Sequence, residues 1–205
     1  MRTLTEERRD AIIDAGLALF QEMGYERTSM NEVAKRVGGS KATLYNYFSS
    51  KEELFETVVR RYSTLFLTEA AAELQDTGPG KLALEDKLTR FGEKMLSVLT
   101  SENQAMQIYR CVISEAGHSD IGRLFFESGP KESMEKLSEL FAEAMNNGEL
   151  APANPMLRAS QFTSLIKAET EVMLFSREVP RCTDEQIRQM VKNGVSLFMK
   201  GAATH

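Results

Sequence analysis

The sequence predicts an all-α chain of about nine helices. Apolar residues recur at three- and four-residue spacing through nearly every segment. Helix-start pairs of Ser with Glu three residues on, and glycines at segment ends, punctuate that pattern. Alternating strand-like runs, hairpin turns between apolar segments and internal repeats are absent from the sequence. The 205 residues, 42% apolar and 27% charged, suffice for a small module joined to a larger one with a real core.

The first helix follows Thr5, with Ile13, Leu17 and Phe20 on one face and Gly24 as its stop. Ser29 with Glu32 forms a capping box that opens a short second helix carrying Met30, Val33, Ala34 and Val37. Gly38 and Gly39 break it at once. A third helix begins near Ser40 and turns Leu44 and Phe48 inward. Ser50 with Glu53 forms a second box and opens a long helix, bearing Leu54, Phe55, Val58, Tyr62, Leu65 and Phe66, that runs to about Gln75. The stretch Asp76 to Gly80 stops it. Further helices are expected over about 82–99, 102–116, 120–127, 130–147, 156–177 and 184–200, with a loop from Gly148 to Pro155 holding two prolines. The domain boundary is placed at residue 50: a module over 1–50 and a second domain over 51–205.

Charge is uneven. The net charge is −5, yet residues 27–51 hold five basic residues (Arg27, Lys35, Arg36, Lys41, Lys51) against one acidic, Glu32. That segment therefore carries +4 and the rest of the chain −9. A basic island on an acidic body fits a polyanion-binding footprint, and it fits a solvated face equally well. The third helix separates the two. Three short helices with a glycine turn before the third make a helix-turn-helix arrangement. With Leu44 and Phe48 inward, Lys41, Ala42, Thr43, Tyr45, Asn46 and Tyr47 fall on the exposed side or at the N-terminal end. Two exposed tyrosines suit phosphate hydrogen bonds and groove packing. Lys41 can reach a guanine edge or a phosphate, and the methyls of Ala42 and Thr43 can touch thymine. Ser29 and Ser50 place helix N-termini nearby for phosphate oxygens, and Lys51 adds a charge.

The same residues carry a resemblance. Phe20, Gly24-Tyr25, Thr28-Ser29-Met30, Val33-Ala34, Gly38, Ser40 to Phe48 and Ser50 to Leu54 resemble the DNA-binding domain of the tetracycline-repressor (TetR) family. The resemblance spans Thr5 to Val58 and implies that Lys41, Thr43, Tyr45, Tyr47 and Lys51 contact DNA. Gly39 departs from it, since the family commonly has an apolar residue there, and a second glycine is expected to loosen the turn. Arg110 to Ala116, the start at Gly129-Pro130 and the last helix resemble the subgroup with an AefR-like C-terminal domain. That implies a small-molecule effector held between helices, dimerisation through the last two long helices, and repression relieved by the effector; the expected route is a shift of the helix starting at Ser50, and the sequence leaves activation open.

The C-terminal residues can be weighed by themselves. Ile187, Met190, Val191, Gly194, Val195 and Phe198 form a seam, and Phe162, Leu165, Ile166, Val172 and Met173 form another on the preceding helix. Periodicity fits a two-copy interface and burial in the chain's own core alike; a reader of paired half-sites favours the interface. An apolar effector pocket is expected from Tyr62, Phe91, Met95, Met106, Tyr109 and Ile113. Arg110 and Glu169 interrupt apolar faces and need partners, whether a ligand or a structural salt bridge.

Other classes find little support. Two histidines, His118 and His205, cannot make a His-rich metal site, and no cofactor motif occurs. Cys111 and Cys182 belong to no paired spacing and favour a reducing setting. No signal core or spanning segment is legible, so a cytoplasmic, non-enzymatic, DNA-binding homodimer is expected.

Overall fold

The computed structural model describes residues 5–72, 74, 82–101, 103–176 and 180–204, without the side chains of 63–67, 101, 103 and 104. The expected linker at 76–80, the helix limits at Gln75, Glu102 and Arg177, and the Leu65 and Phe66 side chains lie outside the described residues. Among the described residues there are eleven α-helices: α1 (Glu6–Met23), α2 (Met30–Val37), α3 (Lys41–Tyr45), α4 (Lys51–Val59), α5 (Leu65–Ala72), α6 (Leu84–Ser101), α7 (Asn103–Glu115), α8 (Ile121–Glu127), α9 (Pro130–Asn146), α10 (Pro155–Lys167) and α11 (Asp184–Ala202). Among the described residues there is no β-strand, only an isolated bridge between Leu150 and Ala203.

Two expected helices are broken. The long fourth helix leaves α geometry at Arg60–Thr64, a π-helical turn between α4 and α5. The helix expected to reach Arg177 ends at Lys167, and Glu171–Phe175 follows as a 3-10 turn. Apolar spacing continues through both interruptions, so periodicity alone cannot reveal them.

The chain divides into two compact units: Met1–Thr64 with Gln107–Ser128, and Leu65–Met106 with Gly129–His205. In the first, α1 packs on α2 and α4, and α4 on α8. Its core holds Ile12, Ile13, Phe20, Leu44, Phe48, Leu54, Phe55 and Val58, joined by Ile108, Val112, Ile121 and Leu124. The apolar faces of the first four helices are thus covered by residues far along the chain. Phe55 meets Phe20 and Tyr25 edge-on, with ring centroids 5.4 and 5.1 Å apart.

In the second unit α10 packs against α9 and α11, and α11 against α6. Phe91, Phe141, Phe162 and Phe198 form the aromatic centre; Phe162 lies 6.2, 6.0 and 5.3 Å from the other three. A Cβ on Gly194 would come within 3.2 Å of the Leu165 carbonyl oxygen, so this glycine lets α11 approach α10 of its own chain. Thr183 and Gln186 close a capping box at the start of α11.

Phe162 is wholly buried. Phe162→Ala is expected to cost about 3–5 kcal/mol of unfolding free energy, read from the urea midpoint.

Candidate nucleic-acid interface

The turn into α3 is built by local hydrogen bonds. The Ser29 hydroxyl accepts from the Glu32 N–H at 3.3 Å, and the Glu32 carboxylate accepts from the Ser29 N–H at 2.8 Å, the expected capping box. Gly38, at φ 72°, ends α2 in the left-handed region that favours glycine. Ser40 caps α3 by accepting from the Thr43 N–H at 3.1 Å. α3 itself is only Lys41–Tyr45, shorter than expected; the N–H groups of Tyr47 and Phe48 both return to the Leu44 carbonyl, at 2.9 and 3.1 Å. At the start of α4, Ser50 accepts from the Glu53 N–H, but the Glu53 carboxylate turns back to Ser49 rather than to Ser50. The second expected box is therefore half made.

Leu44 and Phe48 are buried, as their spacing requires, and they push the opposite side outward. Lys41, Ala42, Tyr45 and Asn46 are exposed, and Thr43 is half-exposed. Tyr45 shows 42% of its surface, with the Lys41 ammonium 5.7 Å from its ring centroid. Cation and phenol therefore share one side of α3. Tyr47 departs from its expected exposure: it is half-buried, and its hydroxyl accepts from the Thr5 N–H at 3.1 Å. Accepting there leaves its own proton to donate outward.

The basic island is thinner than its count. Arg36 pairs with Glu22 at 2.7 Å, and Arg27 donates to the Met23 carbonyl at 2.7 Å. Lys51, expected as a phosphate contact, is half-buried; it donates to the Tyr25 carbonyl at 2.9 Å and stands 4.1 Å over the Tyr25 ring. Ser29 gives its hydroxyl proton to Glu32 at 2.9 Å, so it stabilises α2 first. Lys35 and Lys41 remain exposed.

Sequence reasoning passed over the first turn of α1. Thr5 holds Tyr47, Arg8 donates to the carbonyls of Val37 and Gly38, and the Arg9 guanidinium lies 5.1 Å over the Phe48 ring. The available signal was the Arg8-Arg9 pair within an otherwise acidic stretch.

The residues expected around an effector do not gather within either unit. Phe91, Met95 and Met106 are buried and, with Glu169, belong to the second unit; Tyr62, Tyr109, Arg110 and Ile113 belong to the first. Two of them are corrected. Ile113 is 52% exposed, while Ile108 and Val112 of the same helix are buried in the core of the first unit. Glu169, expected within an apolar face, is instead exposed past the end of α10 and accepts from the Asn193 amide at 3.1 Å. Tyr62 donates to Asp14, and burial together with that carboxylate pushes its phenol up to about 12. Burial likewise raises the Cys111 thiol, which favours an inert cysteine.

The expected interface residues also need correction. Phe162, Ile166, Ile187, Val191, Gly194, Val195 and Phe198 are buried within a single chain, where they fill the core between α6, α9, α10 and α11, and Met173 is buried on the 3-10 turn after α10. An amphipathic helix has one apolar stripe, and in α10 and α11 the chain's own core takes it. Leu165 is only half-buried and borders an open groove on the outer side of these helices.

Comparison with known proteins agrees with this geometry. The model of bacterial regulatory proteins of the tetR family matches residues 12–58, and the AefR-like transcriptional repressor C-terminal domain matches 86–201. The chain belongs to the TetR family. It is a DNA-binding transcriptional regulator, and its relatives are regulators rather than enzymes. The HTH-type transcriptional regulator RutR of Escherichia coli K12 is 27% identical over 198 residues, covering 92% of this chain and 90% of RutR. The HTH-type transcriptional repressor ComR of the same organism is 26% identical over 161 residues, 77% of this chain and 75% of ComR. The structure of the flavonoid-responsive regulator FrrA has a TM-score of 0.70 and 31% identity, covering 98% of this chain and all of that one. A TetR-family structure from Mesorhizobium loti shares the fold at TM-score 0.76 and 23% identity, covering 99% of this chain and all of that one. Among the described residues no helix is long and apolar enough to cross a membrane.

The caps make a pH prediction for this TetR domain. Hydrogen bonds from the Ser29 backbone and hydroxyl hold Glu32 below the usual carboxylate range, and those from the Ser49 hydroxyl and backbone do the same for Glu53. Carboxyls depressed in the folded state stabilise fully above their unfolded pKa, about 4.3, and lose that contribution as pH falls through the lower folded values. The urea midpoint of wild type should exceed that of a Glu32→Gln, Glu53→Gln variant at pH 7, and the gap should close below pH 4. A gap that stays constant with pH would remove the charge from the caps.

Proposed function

We propose that this regulator is a repressor that binds a palindromic operator as a homodimer and is released by a small apolar or amphipathic effector. The observation that carries the reading is the outer side of α3, where Lys41, Ala42, Tyr45 and Asn46 face outward over buried Leu44 and Phe48. An amine, a phenol and a methyl on one short helix, with an amide at its C-cap, match the donor, acceptor and methyl pattern of a major groove. Tyr47 and Thr43 flank that face and reach phosphate from its edges. Repression is supported by the AefR-like repressor domain and by ComR, which is named a repressor.

For the dimer, the outer side of α10 and α11 replaces the buried stripe. Leu157 and Leu197 are 54% and 60% exposed there. An open groove of about 560 Å³ lies between the helices, bordered by Arg158, Gln161, Leu165, Leu197 and Gly201. Arg158 donates to Gln161 at 3.0 Å, while its Nε is buried without an acceptor among the described residues. An acceptor from a second copy would satisfy it. For the effector, FrrA is described as flavonoid-responsive, which supports a small, largely apolar ligand in this chain, against the buried Phe91, Met95 and Met106 of the second unit. Its entry would act through α4 and the π turn at Arg60–Thr64, altering the separation of the two reading helices.

Enrichment from a randomised duplex pool by the full chain tests the reading. It should yield a short palindrome whose affinity falls with salt. Tyr45→Ala should weaken binding at least fivefold, and Lys41→Ala should also lower the salt slope by about one if the ammonium meets phosphate. Wild-type affinity in both variants would overturn the assignment of α3. Leu197→Arg should convert a dimer to a monomer in light scattering and abolish tight binding to the palindrome; a dimer that persists would move the interface elsewhere.

A further inference from the structure

The turn between α2 and α3 is held by more than its own glycines. A helix ends on carbonyls that have no partner within it. Two of those in α2 are met by the turn: the Gly39 N–H donates to the Ala34 carbonyl at 3.0 Å and the Gly38 N–H to that of Lys35 at 3.1 Å. The carbonyls that follow are met from α1. Arg8 donates Nη1 to the Val37 carbonyl at 3.1 Å and Nη2 to the Gly38 carbonyl at 3.2 Å. A cation at this end of α2 also complements its dipole. The guanidinium is a rigid fork, so the two bonds set direction as well as distance.

That fork explains the second glycine. Gly39 is not among the positive-φ residues, so its backbone conformation admits a side chain. A Cβ at residue 39 would lie 2.6 Å from Arg8 Nη2, so any side chain there would displace the guanidinium from its present position. Glycine at 39 thus leaves free the place that the Arg8 guanidinium takes beside the turn. It makes room for the group that fastens it. The same turn of α1 secures the far end of α3, through Thr5 on Tyr47 and Arg9 over Phe48.

We propose that Arg8 and Gly39 form a single positioning device that sets the orientation of α3, and with it the fit of Lys41 and Tyr45 to DNA. The inference rests on the reading of α3 as the DNA-contacting helix. Arg8 acts through the carbonyls of the turn; it is a positioning residue.

The test uses the full chain with the duplex that wild type enriches from a random pool. Arg8→Ala and Gly39→Ala should each weaken binding about tenfold, the scale of one lost charge-assisted hydrogen bond. The double variant should bind no worse than either single one, since both remove the same contact. The salt slope should stay at the wild-type value in all three, and Arg8→Lys should not restore affinity, because an ammonium lacks the planar fork. Without DNA, amide exchange at Gly39 to Thr43 should speed up to a similar degree in both single variants while the thermal midpoint stays within a few degrees of wild type. Additive losses, or wild-type binding by either single variant, would overturn the pairing. A salt slope lowered by about one in Arg8→Ala would make Arg8 a phosphate ligand instead. If wild type enriches no duplex, the DNA reading of α3 fails, and unchanged amide exchange in the variants would separately defeat the clamp.

Discussion

The burial of Leu44 and Phe48 is the constraint on which the proposed DNA-reading surface depends. α3 is five residues long, far below the length at which an isolated helix persists in water. Its stability comes from outside, through two apolar side chains set in a core shared with Ile12, Ile13 and Phe20. Once those two face inward, helical geometry leaves no choice about the rest: Lys41, Ala42, Tyr45 and Asn46 must face out. The recognition chemistry we propose is thus a by-product of a packing decision.

Electrostatics plays a smaller part than the charge count implies. Of five basic residues in the segment 27–51, Arg27, Arg36 and Lys51 are engaged by a carbonyl, a carboxylate and a carbonyl with an aromatic ring. These contacts brace the first unit. Lys51 in particular joins the start of α4 to the segment that follows α1, so its charge serves packing before any phosphate. What remains for a polyanion is concentrated at Lys35 and Lys41, on α2 and α3 themselves. With a few exposed charges on α2 and α3 in a chain of net −5, attraction for a polyanion would be local to the proposed reading elements.

Much of the architecture was legible in the residues. Capping pairs such as Ser29 with Glu32, the stop at Gly38 and the inward spacing of Leu44 and Phe48 are local signals, and each appears in the structure where its spacing puts it. Less of the site was legible. Tyr47, Lys51 and Ser29 looked like solvent-facing contacts, yet their partners are Thr5, Tyr25 and Glu32. Of these only Glu32 lies within one helical turn; the others are 42 and 26 residues away. Arg8 escaped notice for the same reason, since its value lies in carbonyls about thirty residues downstream.

The residues by themselves determined the all-helical fold, the helix-turn-helix and its buried face, because periodicity, caps and glycine stops act within a few residues of one another. Which partner an apolar stripe takes was decided only in three dimensions. The seams on α10 and α11 read equally well as interface or as core, and close approach at Gly194 within one chain made them core. The same holds for α7, where packing of Ile108 and Val112 in the first unit left Ile113 outside. A stripe states that a face must be covered; only the assembled chain settles what covers it.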